Sequence, residues 1–295
     1  MSYADFVAFR KSLGRTPPLD KQMVRARGLT FAVFSTPPVA GATPIVCING
    51  GMLYDHSMLW PALSPLAAKR QVILYDQRGR GASSAPPDPS QATVDDDAAD
   101  VGALRRALGI RQWDVLGHSW GGGIAMLGTA RDLSGVRKLV LVNAVGPTSS
   151  WMSTLRLNVL ARVEGEQHQI VSRTTEEMLG IPDPTLHSNY SRAVYSAWFF
   201  DREMASRFAP PDARSETGAA VLARLRRGYD WTQIVHNVSV PTLVIHGEED
   251  ALPLAVSVEN SYIIQNARHE VVPSSGHMPF WEAPQRFFAL IDSFL

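Results

Sequence analysis

Gly117-His118-Ser119-Trp120-Gly121-Gly122 lies near the middle of a 295-residue chain, directly after Trp113-Asp114-Val115-Leu116. The stretch is either a glycine-rich turn or the seat of a serine nucleophile. Gly117 and Gly121 flank Ser119 at minus two and plus two. A nucleophile elbow turns so sharply from strand to helix that side chains beside the serine would collide, so glycine is needed there. The strand pattern over 113–117 and the helical pattern over 121–131 supply the required context.

A serine hydroxyl is a weak nucleophile at its own pKa and needs a base, which in turn needs an orienting acid. For a strand–elbow–helix architecture the order along the chain is serine, acid, histidine. Downstream, the strand-like run 242–246 leads into Gly247-Glu248-Glu249-Asp250, and the run 270–272 leads toward Ser274-Ser275-Gly276-His277. Catalytic groups of open α/β sheets gather beyond the C-terminal ends of the strands. Ser119, Asp250 and His277 therefore fall on one sheet edge in the expected order.

The remaining pattern is an alternation of strand and helix. Spans 23–27 and 29–35 read as an opening hairpin, followed by strands over 44–48, 71–75, 113–117, 138–142, 242–246 and 270–272. Most are continuous Val/Ile/Leu runs, as expected of strands covered on both faces. Helices are expected over 56–69, 95–108, 121–131, 254–265 and 284–294. This predicts an α/β fold with a mostly parallel eight-stranded sheet and right-handed crossovers. From about 147 to 237 no strand pattern occurs, only helical segments broken by Pro182-Asp183-Pro184 and Pro210-Pro211. The sequence thus divides into a core, 1–146 with 238–295, and a helical insertion, 147–237, between strands six and seven. Asp95-Asp96-Asp97 reads as the acidic first turn of a helix capped by Thr93, where the helix dipole favours negative charge.

Composition narrows the function classes. Hydrophobic residues make up 45% of the chain, enough for a core without disulfides or metals. Formal net charge is zero, with no basic stripe, so nucleic acid is not expected as a partner. No apolar run is long enough to span a bilayer, so no membrane partner is expected. The N-terminal stretch MSYADFVAFRKSLG lacks the continuous apolar segment of an export signal. Together with a single cysteine, Cys47, read as a buried strand residue, this gives a cytoplasmic expectation. His56, His246 and His269 have no metal-like spacing, so no metal is expected. Gly79-x-Gly81 lacks the third glycine and the strand-to-helix context of a dinucleotide site, and no cofactor is expected.

With these residues in place, the chain resembles an α/β-hydrolase over nearly its whole length. The resemblance rests on the 117–122 elbow, on Asp76-Gln77-Arg78-Gly79-Arg80-Gly81, on Gly247-x-x-Asp250, and on Gly276-His277 followed by Glu282 and Pro284. It implies Ser119 as nucleophile, His277 as base and Asp250 as orienting acid, with Glu249 as the alternative acid. Acyl transfer also needs preorganised donors where negative charge develops. The backbone N–H groups of Trp120 and Gly51 are assigned that role, with Met52 as alternative to Gly51. A structural role is expected of His118, and Asp76 is expected to pair with Arg78.

Within the family the sequence is most similar to the proline iminopeptidase-like group. Two departures stand out. That group's loop usually reads His-Gly-Gly-Pro-Gly, against Asn49-Gly50-Gly51-Met52-Leu53 here. It also recognises a substrate ammonium with cap glutamates, one often following a tryptophan, where this chain has Trp198-Phe199. Glu203 and Glu216 are the substitute acids. Met52, Trp151, Trp198 and Phe199 are the other candidate substrate contacts; the insertion's aromatic residues either line an apolar acyl pocket or form the insertion's own core. The leading expectation is a serine hydrolase of small-molecule carboxylic esters or amides. The alternatives are a prolyl aminopeptidase and a hydrolase-fold receptor or scaffold with little turnover.

Overall fold

Continuous apolar runs form the centre of an eight-stranded sheet. In the computed structural model, which describes residues 3–9, 16–211 and 213–295, the strands are β1 (Asp20–Ala26), β2 (Leu29–Ser35), β3 (Ile45–Ile48), β4 (Val72–Tyr75), β5 (Trp113–His118), β6 (Val136–Val142), β7 (Thr242–Gly247) and β8 (Ala267–Val272). Residues 1, 2 and 10–14 of the stretch read for an export signal lie outside the described residues. The order across the sheet is β1-β2-β4-β3-β5-β6-β7-β8. β1 and β2 are antiparallel, β2 meets β4 antiparallel, and every later pairing is parallel. Every residue of β3, β4, β5 and β7 is buried.

Side chains of a strand alternate between faces, and the two cores follow that alternation. Val46, Ile48, Val115, Leu139, Leu141 and Val244 enter one cluster; Ile45, Cys47, Leu116, Val140, Val142 and Ile245 enter the other. Burial pushes the Cys47 thiol far up, so it stays protonated and inert.

Helix α1 (Tyr3–Phe9) precedes the sheet, while α2 (Val94–Ala107) and α3 (Trp120–Arg131) flank β5. Between β6 and β7 the described residues form α4 (Met152–Leu160), α5 (Gly165–Arg173), α6 (Glu176–Leu179), α7 (Pro184–Val194), α8 (Arg202–Arg207), α9 (Glu216–Arg226) and α10 (Thr232–His236). The chain ends with α11 (Leu254–Ile263), α12 (Pro279–Glu282) and α13 (Pro284–Phe294). No helix among the described residues is long and apolar enough to cross a membrane.

One expected helix is different. Residues 56–69 form two short 3-10 segments, His56–Met58 and Ser64–Ala68, instead of a continuous α-helix. Pro61 and Pro65 lack the N–H that an α-helical ladder needs at those positions. The Thr93 cap forms, its Oγ accepting from the Asp96 N–H at 3.2 Å. The acids after it do more than favour the dipole: Asp97 pairs with Arg80 at 2.9 Å, both side chains fully buried.

Candidate functional site

Parallel register places the strand ends side by side. Ile48 sits opposite Gly117, His118 opposite Val142, and Val142 opposite Ile245. The segments that follow β3, β5, β6 and β7 therefore leave the sheet at one edge. Ser119 occupies the gap between β5 and α3 with φ 56° and ψ −124°. A non-glycine residue with positive φ carries strain of about 1–3 kcal/mol. Crowding explains the glycines: a Cβ on Gly117 would lie 2.4 Å from the Gly121 carbonyl, and one on Gly121 would lie 2.2 Å from the Ile48 carbonyl.

His277 and Asp250 meet at this edge. His277 Nδ1 is 2.7 Å from Asp250 Oδ2, and both side chains are almost fully buried. The carboxylate can only accept, so Nδ1 carries the proton and Nε2 remains the basic nitrogen. Asp250 also accepts from Asn143 Nδ2 at 2.6 Å and from the Leu252 N–H at 2.9 Å. Burial pushes its carboxyl up, but the His277, His246 and Asn143 contacts outweigh that and hold it below the ordinary value. His277 and Ser119 line the same cavity. No hydrogen bond joins their side chains in this structure, as is common before substrate arrives.

His118 takes the structural role expected of it. Burial, reinforced by His277, pushes its imidazole down to about 3. It is neutral, and its Nε2–H donates to the His277 carbonyl at 2.9 Å. The His277 N–H donates to the Trp198 carbonyl at 2.7 Å, and the Trp198 ring stacks on the imidazole at 4.2 Å between centroids.

Trp120 is the first residue of α3, so its N–H has no acceptor within the helix. The loop after β3 runs directly against the elbow: a Cβ on Gly50 would lie 2.6 Å from Ser119 Cβ. Gly50 and Gly51 line the cavity. Asn49, where the family usually has histidine, ties the loop from inside by donating to the Tyr54 and Gly50 carbonyls at 3.0 and 3.2 Å. Gln77 donates to the Asn49 carbonyl at 2.8 Å. Met52 does not line the cavity; it is 1% exposed in the core, and its carbonyl accepts from Arg80 Nε at 2.8 Å.

Of the other candidate contacts, Trp151 and Trp198 line the cavity, and Phe199, Glu203 and Glu216 do not. Phe199 packs against Phe6 and Phe208 in the opposite core. Glu203 is exposed and pairs with Arg207 one helical turn on, and Glu216 is exposed in the first turn of α9. Asp76 and Arg78 do not pair. Asp76 accepts from the His56 ring at 2.7 Å and from the Ala82 N–H, whereas Arg78 makes a two-point contact with Asp100. Asp55, His56 and Asp76 come close enough to hold a cation, but Asp76 Oδ1 already accepts from the His56 N–H and ring, Asp76 Oδ2 from the Ala82 N–H, and Asp55 Oδ1 from the Ser57 N–H.

Three features of the site escaped the sequence reading. Asn143, which carries a positive φ of 45°, orients Asp250. Glu282 accepts from the N–H groups of Phe200, Asp201 and Gly276, joining the insertion to the histidine loop. Arg156 and Arg226 line the cavity. No sequence spacing marks the arginines; Glu282 stood within the His277 motif without an assigned role.

Comparison with known proteins agrees with this architecture. The profile of the α/β-hydrolase fold family matches residues 43–284. A proline iminopeptidase of Lactobacillus delbrueckii subsp. bulgaricus is 27% identical over 277 residues, covering 85% of this chain and 89% of that protein. A 2-hydroxymuconate semialdehyde hydrolase of Pseudomonas putida is 30% identical over 237 residues, covering 77% of each. The crystal structure of a proline iminopeptidase of Mycobacterium smegmatis superposes with a TM-score of 0.73 at 23% identity, covering 93% of this chain and 97% of that one. With more than half of its length matched by that family profile, and with a strand-to-helix serine elbow on an eight-stranded sheet, the chain belongs to the α/β-hydrolase fold family of enzymes.

Proposed function

We propose that the chain is a serine hydrolase that cleaves a small carboxylic ester or amide through Ser119, His277 and Asp250. In this reading His277 Nε2 takes the Ser119 proton as Oγ attacks the carbonyl carbon. Asp250, bonded to Nδ1, fixes the ring and stabilises the imidazolium. The N–H groups of Trp120 and Gly51 receive the oxyanion. His277 returns the proton to the leaving group, and water attacks the acyl-enzyme with the same base assistance. Residues 147–237 serve as a cap: Trp151, Leu155, Val159, Tyr190, Val194 and Leu222 of the insertion line the cavity that also holds Ser119 and His277.

The observation that carries the ester or amide reading over aminopeptidase is the cavity wall, which has no Asp or Glu among the described residues. An ammonium leaving water needs compensating negative charge, which this wall does not supply; an acyl group makes no such demand. Prolyl aminopeptidase is the second reading, favoured by the name and coverage of the Lactobacillus relative. Labelling with a fluorophosphonate tests the nucleophile: wild type labels and Ser119→Ala does not. Aryl esters of several chain lengths are then compared with prolyl arylamides. Labelling that survives Ser119→Ala overturns the triad, and faster prolyl release than ester cleavage overturns the substrate preference.

A further inference from the structure

The wall that the insertion gives the cavity carries cations. Arg156 on α4 and Arg226 at the end of α9 line it together with Leu155, Val159, Tyr190 and Leu222. Their side chains are only 20% and 11% exposed. Both face one carboxylate, Glu176, whose oxygens stand 3.6 Å from Arg156 Nη1 and 3.3 Å from Arg226 Nη1. Glu176 itself is 44% exposed and does not line the cavity; it lines a neighbouring depression to which both arginines also contribute, so the two guanidinium side chains lie between depression and cavity. Arg156 Nη2 donates to the Val171 carbonyl, and the Arg226 guanidinium lies 5.6 Å from the centre of the Tyr190 ring. Arg156 Nη1 and Arg226 Nε are buried without a hydrogen-bond partner among the described residues.

Two guanidinium charges against one carboxylate leave a net positive charge on an otherwise apolar wall. His187, the nearby imidazole, adds none: burial pushes it down, with Arg226 reinforcing. A mostly buried guanidinium with unused donors is costly unless an anion completes its contacts. A carboxylate matches the planar fork of an arginine and would share the two guanidinium charges with the half-exposed Glu176.

We propose that Arg156 and Arg226 form an anion-reading end of the substrate cavity, so that the acyl group received by Ser119 carries a carboxylate at its far end. The apolar residues between elbow and arginines then hold the intervening chain. This deepens the serine-hydrolase reading above and rests on it. The same two cations repel an amino-terminal ammonium, which is the opposite of what an aminopeptidase needs.

The test pairs p-nitrophenyl half-esters of glutarate, adipate and pimelate with counterparts whose distal carboxylate is capped as a methyl ester. For at least one chain length, wild-type kcat/KM favours the free carboxylate by about tenfold or more, the size of a charge-assisted hydrogen bond. In the double variant Arg156→Met/Arg226→Met the ratio falls to about one, while Arg226→Lys retains part of it and Glu176→Gln raises it. A wild-type ratio of one or below, or a ratio unchanged in the double variant, overturns the proposal.

A second measurement does not depend on turnover. Monomethyl and dimethyl adipate are titrated into Ser119→Ala, read by fluorescence of Trp120, Trp151 and Trp198 on the cavity wall. Tighter binding of the monoanion that disappears when both arginines are replaced supports the subsite. Equal binding overturns it. If no ester is cleaved yet the monoanion binds preferentially, the hydrolase reading fails and the anion site stands. Ser119-dependent cleavage without discrimination gives the reverse.

Discussion

Asp250 concentrates several jobs in one carboxylate. It orients His277, accepts the Asn143 amide and closes its own turn through Leu252. Replacement by asparagine preserves shape but removes the charge that stabilises imidazolium and selects its tautomer. Asp250→Asn should lower kcat by about 10³–10⁴ and, because one of its two accepting oxygens becomes an NH2 facing an N–H donor, also cost about 1–3 kcal/mol of stability, measured by ester hydrolysis beside thermal unfolding. Activity within tenfold of wild type would exclude Asp250 as the orienting acid and turn attention to Glu249. Phe199 gives a residue-scale test of the lost glutamate. Because its ring is 3% exposed among Phe6 and Phe208, Phe199→Glu would bury an unpaired carboxylate. The variant should lose about 3 kcal/mol or more in denaturant unfolding and gain no prolyl aminopeptidase activity. A stable variant that releases proline would show the position is an amine site after all.

At the scale of elements, the elbow is held by contact between backbones. Gly121 lies so close to the end of β3 that a methyl group would overlap the Ile48 carbonyl. Neither partner is a flexible side-chain tip. Gly121→Ala should therefore push α3 away from β3, costing at least about 2 kcal/mol and most of the hydrolytic activity; wild-type unfolding and turnover would contradict the geometry. The elbow, the strand order of Ser119, Asp250 and His277, and the helical insertion were legible in the sequence because each depends on local punctuation: glycine spacing, apolar runs and their interruption. The 56–69 segment was misread because its apolar content outweighed Pro61 and Pro65 in the pattern. The Asp76–Arg78 pairing failed for a different reason. Charges two residues apart were matched within their loop, but Asp100 and His56 reach them from other elements. The arginines of the cavity wall were invisible because α4 and α9 converge only in three dimensions.

For the whole molecule, Glu282 couples protonation to folding. Burial lifts its carboxyl from 4.5 to about 7, although the backbone N–H groups of Asp201, Gly276 and Phe200 favour the ionised form. Between these values the folded chain holds a proton that the unfolded chain has released. The associated stability is present below pH 4.5 and lost as pH rises through 7. Relative to Glu282→Gln, wild type should lose on the order of 2–3 kcal/mol of unfolding free energy from pH 5 to pH 8, measured by denaturant titration at both values; parallel curves would exclude Glu282 as the titrating group. The neighbouring Trp198 contact has its own consequence. Its carbonyl holds the His277 backbone and its ring lies on the imidazole. A cap that swung open as a hinged door at residues 198–201 would carry off the support of the base. With His277 in its proposed role as base, opening of that kind would disarm the proton shuttle until residues 198–201 returned to place.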